Sequence, residues 1–387
     1  MPPAYFLAMP GIGLIPGGTI GVAAALVGAL AVAPTFAAQT SQQASAESVP
    51  RSALDFRQSS WDAFEYGGLF IGDWTRNIGG GANPDSSAGR YWLSIHLEAD
   101  LEQLFDLPAT TFGMDLWHIA GDNGSIDVGS LQETSYLDAE PDSLLAQAWV
   151  RHEAMEGMLA FQVGRIDANE HFYSTDIGAN FHNAAAALPV SMMGIVSYPD
   201  PVEGGFIDYQ LSESSYLKSG VFDLDNPAVL VEVGYHSAAD AHFAAGGWYY
   251  SGDFDCWNGN NCDGANGFYF SAEGTIIPEH NIDGLGRVAF SDDSISPFGH
   301  HTALGVVWRE PFAAREQDEF GILHLHGDLS TAPGSPFTAG AEQIWEGYYR
   351  FVINQNVAVQ PCLQFVSNPG GQYEDTLVPC IRIEVTF

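Results

Sequence analysis

The sequence has few basic residues. It contains 12 Lys and Arg against 48 Asp and Glu, and Lys218 is the single lysine. The resulting formal net charge of −36 disfavours nucleic acid and anionic membrane surfaces as partners. An acidic excess of this size is expected of a protein surface that faces saline water, or of a lumen that favours cations. An acidic, solvated exterior in a saline habitat is favoured over a specific cation site.

Long apolar runs are also missing. No stretch of about 18 apolar residues occurs after residue 50, which excludes a transmembrane helix in that part of the chain. Charged residues make up only 16% of the 387 residues, too few for the surfaces of two or three separate soluble domains. Short strands with alternating side chains can still build a membrane wall, although each strand gives a weak signal.

The first 46 residues carry no charged side chain. An apolar stretch rich in Gly, Ala and Val, residues 12–33, precedes an Ala-rich polar segment. This pattern predicts a signal peptide and leader over 1–46, cleaved near 37–46, although the usual positive N-terminal region is missing. A permanent anchor helix is the disfavoured alternative, because Gly and Pro interrupt the stretch. Residues 47–63 are predicted to be a periplasmic lead-in.

Alternation of apolar and polar residues dominates the rest of the chain. In residues 342–371, Trp345 and Phe351 share one parity, whereas Glu346 and Arg350 share the other. Because successive strand residues point to opposite faces, this stretch is predicted to be a hairpin with one apolar and one polar face. Sixteen strand segments are predicted from residue 64 onward: 64–76, 90–100, 110–120, 144–153, 158–167, 203–210, 216–224, 228–235, 241–250, 267–277, 285–292, 301–310, 319–328, 343–353, 357–367 and 376–387.

The connections between these segments alternate between short and long. Links after even-numbered segments are mostly short turns. Several links after odd-numbered segments are long: 77–89, 121–143, 168–202, 251–266 and 329–342. Short turns at one rim and long loops at the other are typical of outer-membrane barrels, and an even strand number leaves no open edge. We therefore expect an all-β fold over 64–387, a closed antiparallel transmembrane β-barrel of about 16 strands with long extracellular loops.

The last segment ends on Phe387, after alternate apolar residues. This ending looks like the recognition signal of bacterial outer-membrane barrels. It implies the barrel-assembly machinery as a partner and the cell outer membrane of a Gram-negative bacterium as the location. A soluble or surface β-sandwich, such as a lectin or adhesin, is the alternative, but it would not need the final aromatic residue or the asymmetric rims.

Four cysteines are present, and an even number in an exported chain suggests two disulfides. Cys256 and Cys262 lie in one loop and can close it. If residues 368–375 join the last two strands, Cys362 faces Cys380, and both belong to the polar parity. We predict a cross-strand disulfide on the lumen side, because directly opposite residues have a compatible spacing.

Three motifs resemble the carbohydrate-selective porin family of the OprB type. The first is WEGYYRFVINQNVAVQPCLQFVSNPGG, with matches at Glu346, Tyr348, Tyr349, Arg350, Gln360, Pro361, Gln364, Phe365, Asn368, Pro369, Gly370 and Gly371. The second is VGRIDANEHFYSTDIGANFHN, with matches at Gly164, Arg165, Asp167, Asn169, Phe172, Phe181 and Asn183. The third is LGVVWRE, residues 304–310, followed by FGILHLHGD. The resemblance covers the chain from about residue 64 and implies a sixteen-stranded sugar porin.

The long connection 168–202 is expected to fold into the barrel and narrow it, both by its position after the fifth strand and by resemblance to general porins. Its partly apolar composition fits a loop covered by the barrel wall. The candidates for the constriction are Asp167, Asn169, Glu170, Phe172, Asn180, Phe181 and Asn183.

The opposite wall is expected to supply the remaining lining groups. Arginine forks can bridge sugar hydroxyls, carboxylates accept from hydroxyls, and aromatic faces suit the apolar face of a pyranose ring. The candidates are Arg151, Arg165, Arg350, Glu346, Trp149 and Tyr348. A weak site is what transport requires. The alternative is that the Arg–Glu pairs only brace a water-filled barrel.

The function we expect is facilitated diffusion of small sugars across the outer membrane. A general, cation-preferring porin is the alternative that the acidic excess favours. Two departures from the family, Cys362 in place of an acidic residue and the scarcity of arginine, bear on the preferred solute. No motif of a hydrolase, nucleotide-binding protein or metalloenzyme occurs, so no enzyme activity, cofactor or metal site is predicted. The oligomeric state is left open between a monomer and a homotrimer.

Overall fold

A computed structural model describes residues 59–61, 63–192, 201–238 and 240–387. The predicted leader 1–46 and most of the lead-in 47–63 lie outside these residues. None of the helices in the described part of the chain has the length and apolar character to span a bilayer.

The described chain is mostly β-strand. Its strands are β1 Ser59–Trp61, β2 Phe64–Arg76, β3 Ile78–Gly79, β4 Ser87–Asp100, β5 Thr110–Gly121, β6 Asp142–Ala154, β7 Leu159–Ile166, β8 Val202–Ser212, β9 Ser215–Phe222, β10 Ala228–His236, β11 Ala241–Asp255, β12 Asn261–Ile277, β13 Ile282–Ser291, β14 Phe298–Arg309, β15 Glu319–Leu329, β16 Ala341–Asn354, β17 Val357–Ser367 and β18 Thr376–Thr386. The α-helices are α1 Leu101–Phe105, α2 Gly124–Val128 and α3 Ala184–Ala187. Short 3-10 helices span Ala168–Glu170, Gly178–Asn180, Pro278–His280 and Pro369–Gly371.

The strands form one closed antiparallel sheet. β2 pairs with β4, each strand from β4 onward pairs with the next, and β18 pairs back with β2. Strands β1 and β3 are two short additions that pair with β2 and β18. The remaining sixteen long strands correspond to the sixteen predicted segments. Closure of the sheet confirms the predicted barrel and excludes the β-sandwich alternative.

Side chains alternate between the two faces of the wall as the sequence predicted. In β16, Trp345 and Phe351 are 52% and 40% exposed on the outer face, whereas Glu346 and Tyr348 are 1% and 2% exposed on the inner face. The outer face presents apolar side chains, as a wall that faces lipid requires. Closure of the sheet separately pairs the backbone groups along the strands. The polar parity therefore belongs to the interior.

The predicted loop 251–266 is largely strand, which corrects that boundary. β11 continues to Asp255 and β12 begins at Asn261, so the two strands extend well past the neighbouring hairpins. Cys256 and Cys262 are joined by a disulfide at the tip of this extension, with 5.7 Å between their Cα atoms.

The interior of the barrel contains packed apolar residues rather than an empty channel. Two stretches of chain enter it: inner loop 1, residues 122–141, and inner loop 2, residues 167–192. Residues of both loops belong to the same buried clusters as inward side chains of the wall. The sequence predicted inner loop 2, whereas the infolding of inner loop 1 was not foreseen.

Candidate functional site in the barrel interior

Carboxylates of the wall hold inner loop 2 in place. They accept hydrogen bonds from its backbone: Tyr173 N–H donates to Glu232, Asp176 and Ile177 donate to Glu273, and His182 and Asn183 donate to Glu346, all at 2.7–3.1 Å. A carboxylate that accepts backbone N–H groups forms a charge-assisted bond, about twice as strong as a neutral one. Part of the acidic excess of the chain therefore serves to position this loop.

Other wall residues bind the carbonyl groups of inner loop 2. Arg287 is 1% exposed, and its guanidinium donates to the carbonyl oxygens of Ala185, Ala187 and Leu188, at the end of α3. These carbonyls have no partner inside so short a helix, so the arginine satisfies them. Lys218 Nζ donates to the carbonyl of His171 at 3.1 Å. The loop is thus tied to several strands around the barrel.

Two ionisable side chains of inner loop 2 have displaced pKa values. Burial and the nearby charge of Glu273 raise the pKa of Asp176 to about 7. Burial and the positive charges of Lys218 and Arg151 lower the pKa of His171 to about 3, so this imidazole is neutral at physiological pH. Of these two groups, only Asp176 changes its charge near neutral pH.

Inner loop 1 has its own buried anchors. Glu342 is fully buried and accepts backbone N–H groups from Leu131, Gln132 and Gly370. Arg90 of β4 forms an ion pair with Asp138 at 2.8 Å. These bonds connect one short segment to strands on opposite sides of the seam between β18 and β2, so inner loop 1 covers this seam from inside.

The two inner loops touch each other. Tyr136 N–H donates to the carbonyl of His182 at 3.0 Å, and Ala184 N–H donates to the carbonyl of Glu133 at 3.4 Å. Together they form one continuous layer across part of the lumen.

Acidic and basic side chains alternate along the inner wall near the end of β13–β18 that carries the short connections. Arg309 contacts both Asp283 and Glu319, at 2.5 and 3.0 Å. Arg350 donates to Glu384 at 2.7 Å, and its side chain is 16% exposed. These fixed dipoles and charges face the interior, where they can exchange hydrogen bonds with a polar solute.

Five of the predicted lining residues reach the accessible part of the interior. Trp149 and Arg151 lie on the inner face of β6, Asn169 and Glu170 lie at the start of inner loop 2, and Arg350 lies on β16. Trp149 covers Gly113 of β5, where an added Cβ would lie 2.2 Å from the indole ring. A glycine at that position is therefore required for the indole to lie flat against the wall. The constriction role of these five residues remains a prediction.

Seven other candidates are buried and hold the loop instead of lining a passage. Phe172 is 1% exposed in a cluster with Phe206 and Phe222, and Phe181 packs edge-on to Tyr348 with ring centroids 5.0 Å apart. The remaining buried candidates are Asp167, Asn180, Asn183 and Glu346. The aromatic residues of the motif fill the space between loop and wall because apolar surface is excluded from water there.

Arg165 does not line the lumen, contrary to the sequence prediction. It shares the parity of Val163, which is 64% exposed on the outer face, and forms an exposed ion pair with Glu203 at 3.3 Å. Its side chain therefore lies outside the lumen. The sequence motif had placed Arg165 beside Asp167, but β7 ends at Ile166. Asp167 therefore does not follow the alternation of β7 and lies buried at the start of inner loop 2.

Cys362 and Cys380 are directly opposite each other in the pairing of β17 with β18 and form a disulfide. Both are nearly buried on the inner face, in the cluster that contains Phe181 and Tyr348. The disulfide thus lies under inner loop 2.

Sequence reasoning missed the wall residues that bind inner loop 1, which are Asp73, Arg90, Glu342 and Arg382. It also missed Tyr136 and Asp138, the residues of this loop that contact Arg382 and Arg90. A signal was present, because 121–143 contains buried Val128 and Leu137 in a stretch otherwise typical of an exposed loop.

A closed barrel of sixteen long antiparallel strands, with chain segments folded into its interior, defines a β-barrel channel of the bacterial outer membrane. The chain belongs to the carbohydrate-selective porin family OprB, whose family model matches residues 85–261 and 226–387. It is therefore a porin and not an enzyme.

Similar proteins agree with this membership. Porin B of Pseudomonas aeruginosa is 23% identical over 82% of this chain and 86% of its own length. The high-pH structure of Pseudomonas putida OprB has a TM-score of 0.76 at 17% identity, over 84% of this chain and 94% of that one. The outer-membrane channel DcaP of Acinetobacter baumannii has a TM-score of 0.55 at 9% identity, over 85% and 99% of the two chains. At these identities the solved structures show the shared fold.

Proposed function

We propose that small sugars diffuse through this porin along a passage that is bounded by inner loop 2 and the wall formed by β4–β7. At the end with the short turns, this passage is also bounded by the acidic and basic side chains of β13–β18. The apolar residues of inner loop 2 pack in clusters with strands from β8 to β18, and inner loop 1 covers the seam of β18 with β2. By contrast, Asp115, Trp117, Trp149 and Arg151 on the inner face of β5 and β6 are only half-buried. This difference in burial supports the position of the passage.

The alternation of acidic and basic groups on the inner wall is the observation that carries the proposal. Arg350 is held by Glu384, so its remaining donors are fixed in direction, and the carboxylate presents acceptors beside them. A sugar hydroxyl both donates and accepts, so it can bond to both members of such a pair. Each bond replaces one with water and is therefore weak, as facilitated diffusion requires.

Liposome swelling and single-channel conductance with added glucose test this function. We expect glucose to enter faster than its size alone predicts and to reduce the ionic current in a saturable way. Arg350→Ala should weaken the saturable effect, because hydrogen bonds to charged groups contribute about 1.5–3 kcal/mol each. A glucose-independent current in the wild-type protein would overturn the proposal.

A cation-preferring general porin is the second candidate, and the net charge of −36 favours it. Many of the inner carboxylates are occupied by backbone N–H groups or arginines, which reduces the free negative charge in the interior. Reversal potentials in a KCl gradient distinguish the two functions: strong cation selectivity together with no effect of sugar favours the general porin.

We further propose that the protein resides in the outer membrane of a Gram-negative bacterium and is assembled there by the barrel-assembly machinery through Phe387. The Phe387 ring lies over Gly68 of β2, and the two residues exchange backbone hydrogen bonds of 2.9 and 3.0 Å. Phe387→Ala should lower the yield of heat-modifiable barrel in outer-membrane fractions. Cross-linking in detergent would decide between the monomer and the homotrimer.

A further inference from the structure

Three ionisable side chains lie in a row across β10, β11 and β12. His236, the last residue of β10, is directly opposite His242 of β11, and His242 is directly opposite Glu273 of β12. His236 shares the parity of Glu232, which is 4% exposed on the inner face of the wall. The row therefore lies inside the barrel, next to the short connection between β10 and β11. We name His236, His242 and Glu273 the rim triad.

The two imidazoles of the rim triad are close together and open to solvent. Their ring centroids are 4.5 Å apart and their planes meet at 14°. His236 is exposed, and the side chain of His242 is 24% exposed. Directly opposite residues of antiparallel strands have Cβ atoms about 4.5–5.5 Å apart, so rotation about the side-chain bonds lets both rings bind one ion. An ion in the solvent at this rim can reach them.

Tyr216 of β9 determines which nitrogen of His242 carries the hydrogen. The Tyr216 hydroxyl donates to Glu232 Oε1 at 2.8 Å, and its oxygen lies 2.8 Å from His242 Nε2. Because a hydroxyl has one hydrogen and a carboxylate has none to give, the tyrosine oxygen accepts from the Nε2–H of His242. This assignment leaves Nδ1 with a lone pair. Histidines that bind metals usually donate their other ring N–H in this way.

The lone pair of His242 Nδ1 faces a carboxylate. Nδ1 lies 3.8 Å from Glu273 Oε1, farther apart than the atoms of a hydrogen bond. Two atoms that bind one zinc ion at about 2.0–2.2 Å each lie at most about 4 Å apart, so this separation is within the reach of a shared ion. The carboxylate is already oriented, because it accepts the backbone N–H groups of Asp176 and Ile177 at 3.1 and 2.8 Å.

We propose that the rim triad binds a divalent transition-metal ion of the zinc class. Its ligands are His242 Nδ1, a ring nitrogen of His236 and a carboxylate oxygen of Glu273, with water in the fourth position. Two imidazoles and one carboxylate are a donor set that suits zinc. Since Glu273 also binds the backbone of inner loop 2, the ion lies beside an attachment point of this loop. The site is independent of the solute that the passage admits.

Zinc titration of the folded, metal-free protein in detergent, followed by calorimetry, tests the site. The wild-type protein should bind zinc in a saturable way, and binding should weaken at acidic pH because the imidazoles must be neutral to bind a metal. His236→Gln and His242→Gln should each lower the affinity at least about tenfold. Tyr216→Phe removes the acceptor of the His242 Nε2–H and should also lower it about tenfold.

His152→Gln is the matched control, because His152 is exposed at the same rim on the outer face of β6 and should leave zinc binding unchanged. A second pair of imidazoles, His300 and His326, flanks Asp328 on the outer face. Zinc binding that is lost in His300→Gln and retained in His242→Gln would assign the ion to that pair and overturn the rim triad.

Heat-modifiable migration shows that each variant forms a barrel, and the two single His variants keep the test valid if one of them fails to fold. Wild-type zinc affinity in a folded His236→Gln or His242→Gln protein would overturn the site. Absence of zinc binding in the wild-type protein would overturn it as well. Neither result changes the outcome expected for glucose, so the proposed sugar function is tested separately.

Discussion

Arg382 and Asp73 form a two-point ion pair across the seam where β18 meets β2. The guanidinium donates to the two carboxylate oxygens at 2.8 and 2.6 Å, and the two residues are 1% and 4% exposed. Ser135 of inner loop 1 donates to the same carboxylate at 2.7 Å, and the ring of Tyr136 covers the guanidinium. The ion pair that joins the last strand to the first long strand therefore also binds inner loop 1.

The substitution Asp73→Ala should destabilise the barrel strongly. It leaves Arg382 buried without its carboxylate, and removal of one partner of a buried pair costs about 3–5 kcal/mol. We expect the urea midpoint of the refolded protein in detergent to fall accordingly, together with faster proteolysis within inner loop 1. Both changes follow from one substitution because the same carboxylate binds strand and loop.

The exposed pair of Arg165 with Glu203 provides the matched control. Arg165→Ala removes an ion pair on the outer face, where such pairs contribute about 0–1 kcal/mol. A loss of stability for Asp73→Ala no greater than that for Arg165→Ala would contradict the role of the buried pair.

The disulfide between Cys362 and Cys380 should stabilise the barrel by restricting the unfolded chain. It joins residues 18 positions apart, and cross-links over such loops contribute about 3 kcal/mol. The double substitution of both cysteines by Ala should therefore lower the urea midpoint. Non-reducing peptide mapping should recover the two cysteines in one linked pair, and free thiols at these positions would show that the register of β17 with β18 is wrong.

Much of the wall follows from the sequence because strand alternation is a local property. The parity of Trp345 against Glu346 and the register that places Cys362 opposite Cys380 require only two neighbouring strands. Arg165 was misplaced because a family motif was used there in place of the parity of β7, which puts it on the side of Val163.

The interior is harder to predict because its contacts join distant parts of the chain. Glu342 accepts hydrogen bonds from Leu131 and Gln132, which are more than 200 residues away in the sequence. Nothing in the local sequence of either segment indicates this contact. Phe172 and Phe181 lie in a motif that resembles the infolded loop of porins, and for that reason they were predicted to line the constriction. Only the packing of the loop against the wall shows that these rings are buried, whereas Asn169 is half-buried and Glu170 is exposed.

The attachment of inner loop 2 should depend on pH through Asp176. Its pKa is raised from 3.8 to about 7 in the docked loop by burial and by Glu273. A raised carboxyl pKa favours the docked state at low pH, and this contribution is lost as the pH rises from about 4 to about 7. Single-channel current noise should therefore be greater at pH 8.5 than at pH 5.5.

The variant Asp176→Asn isolates this effect because the amide stays neutral at both pH values. It should show low noise throughout, whereas Glu170→Gln, at an exposed carboxylate of the same loop, should retain the wild-type pH dependence. Noise that rises with pH in Asp176→Asn as it does in the wild type would assign the effect to another group.

Arg287 should control the width of the passage through its hydrogen bonds to inner loop 2. Its guanidinium binds three carbonyl oxygens at the end of α3 and, among the described residues, forms no ion pair with a carboxylate. Arg287→Met fills a similar volume but removes the side-chain donor of the Ala185 and Leu188 carbonyls, at a cost of about 1–3 kcal/mol for each group. The Ala187 carbonyl keeps a hydrogen bond from the backbone N–H of Thr175. The loop should then detach more often, with a higher mean conductance and entry of larger sugars in liposome swelling.

Arg287→Lys separates the charge from the forked geometry of the donor. A lysine keeps the positive charge but is a single flexible point of donation, so it can satisfy fewer of the carbonyls at once. We expect its conductance to lie between those of the wild type and Arg287→Met. Equal conductance in all three folded proteins would mean that other attachments hold the loop without help from Arg287, among them the bonds of Glu273 to Ile177 and of Glu346 to His182.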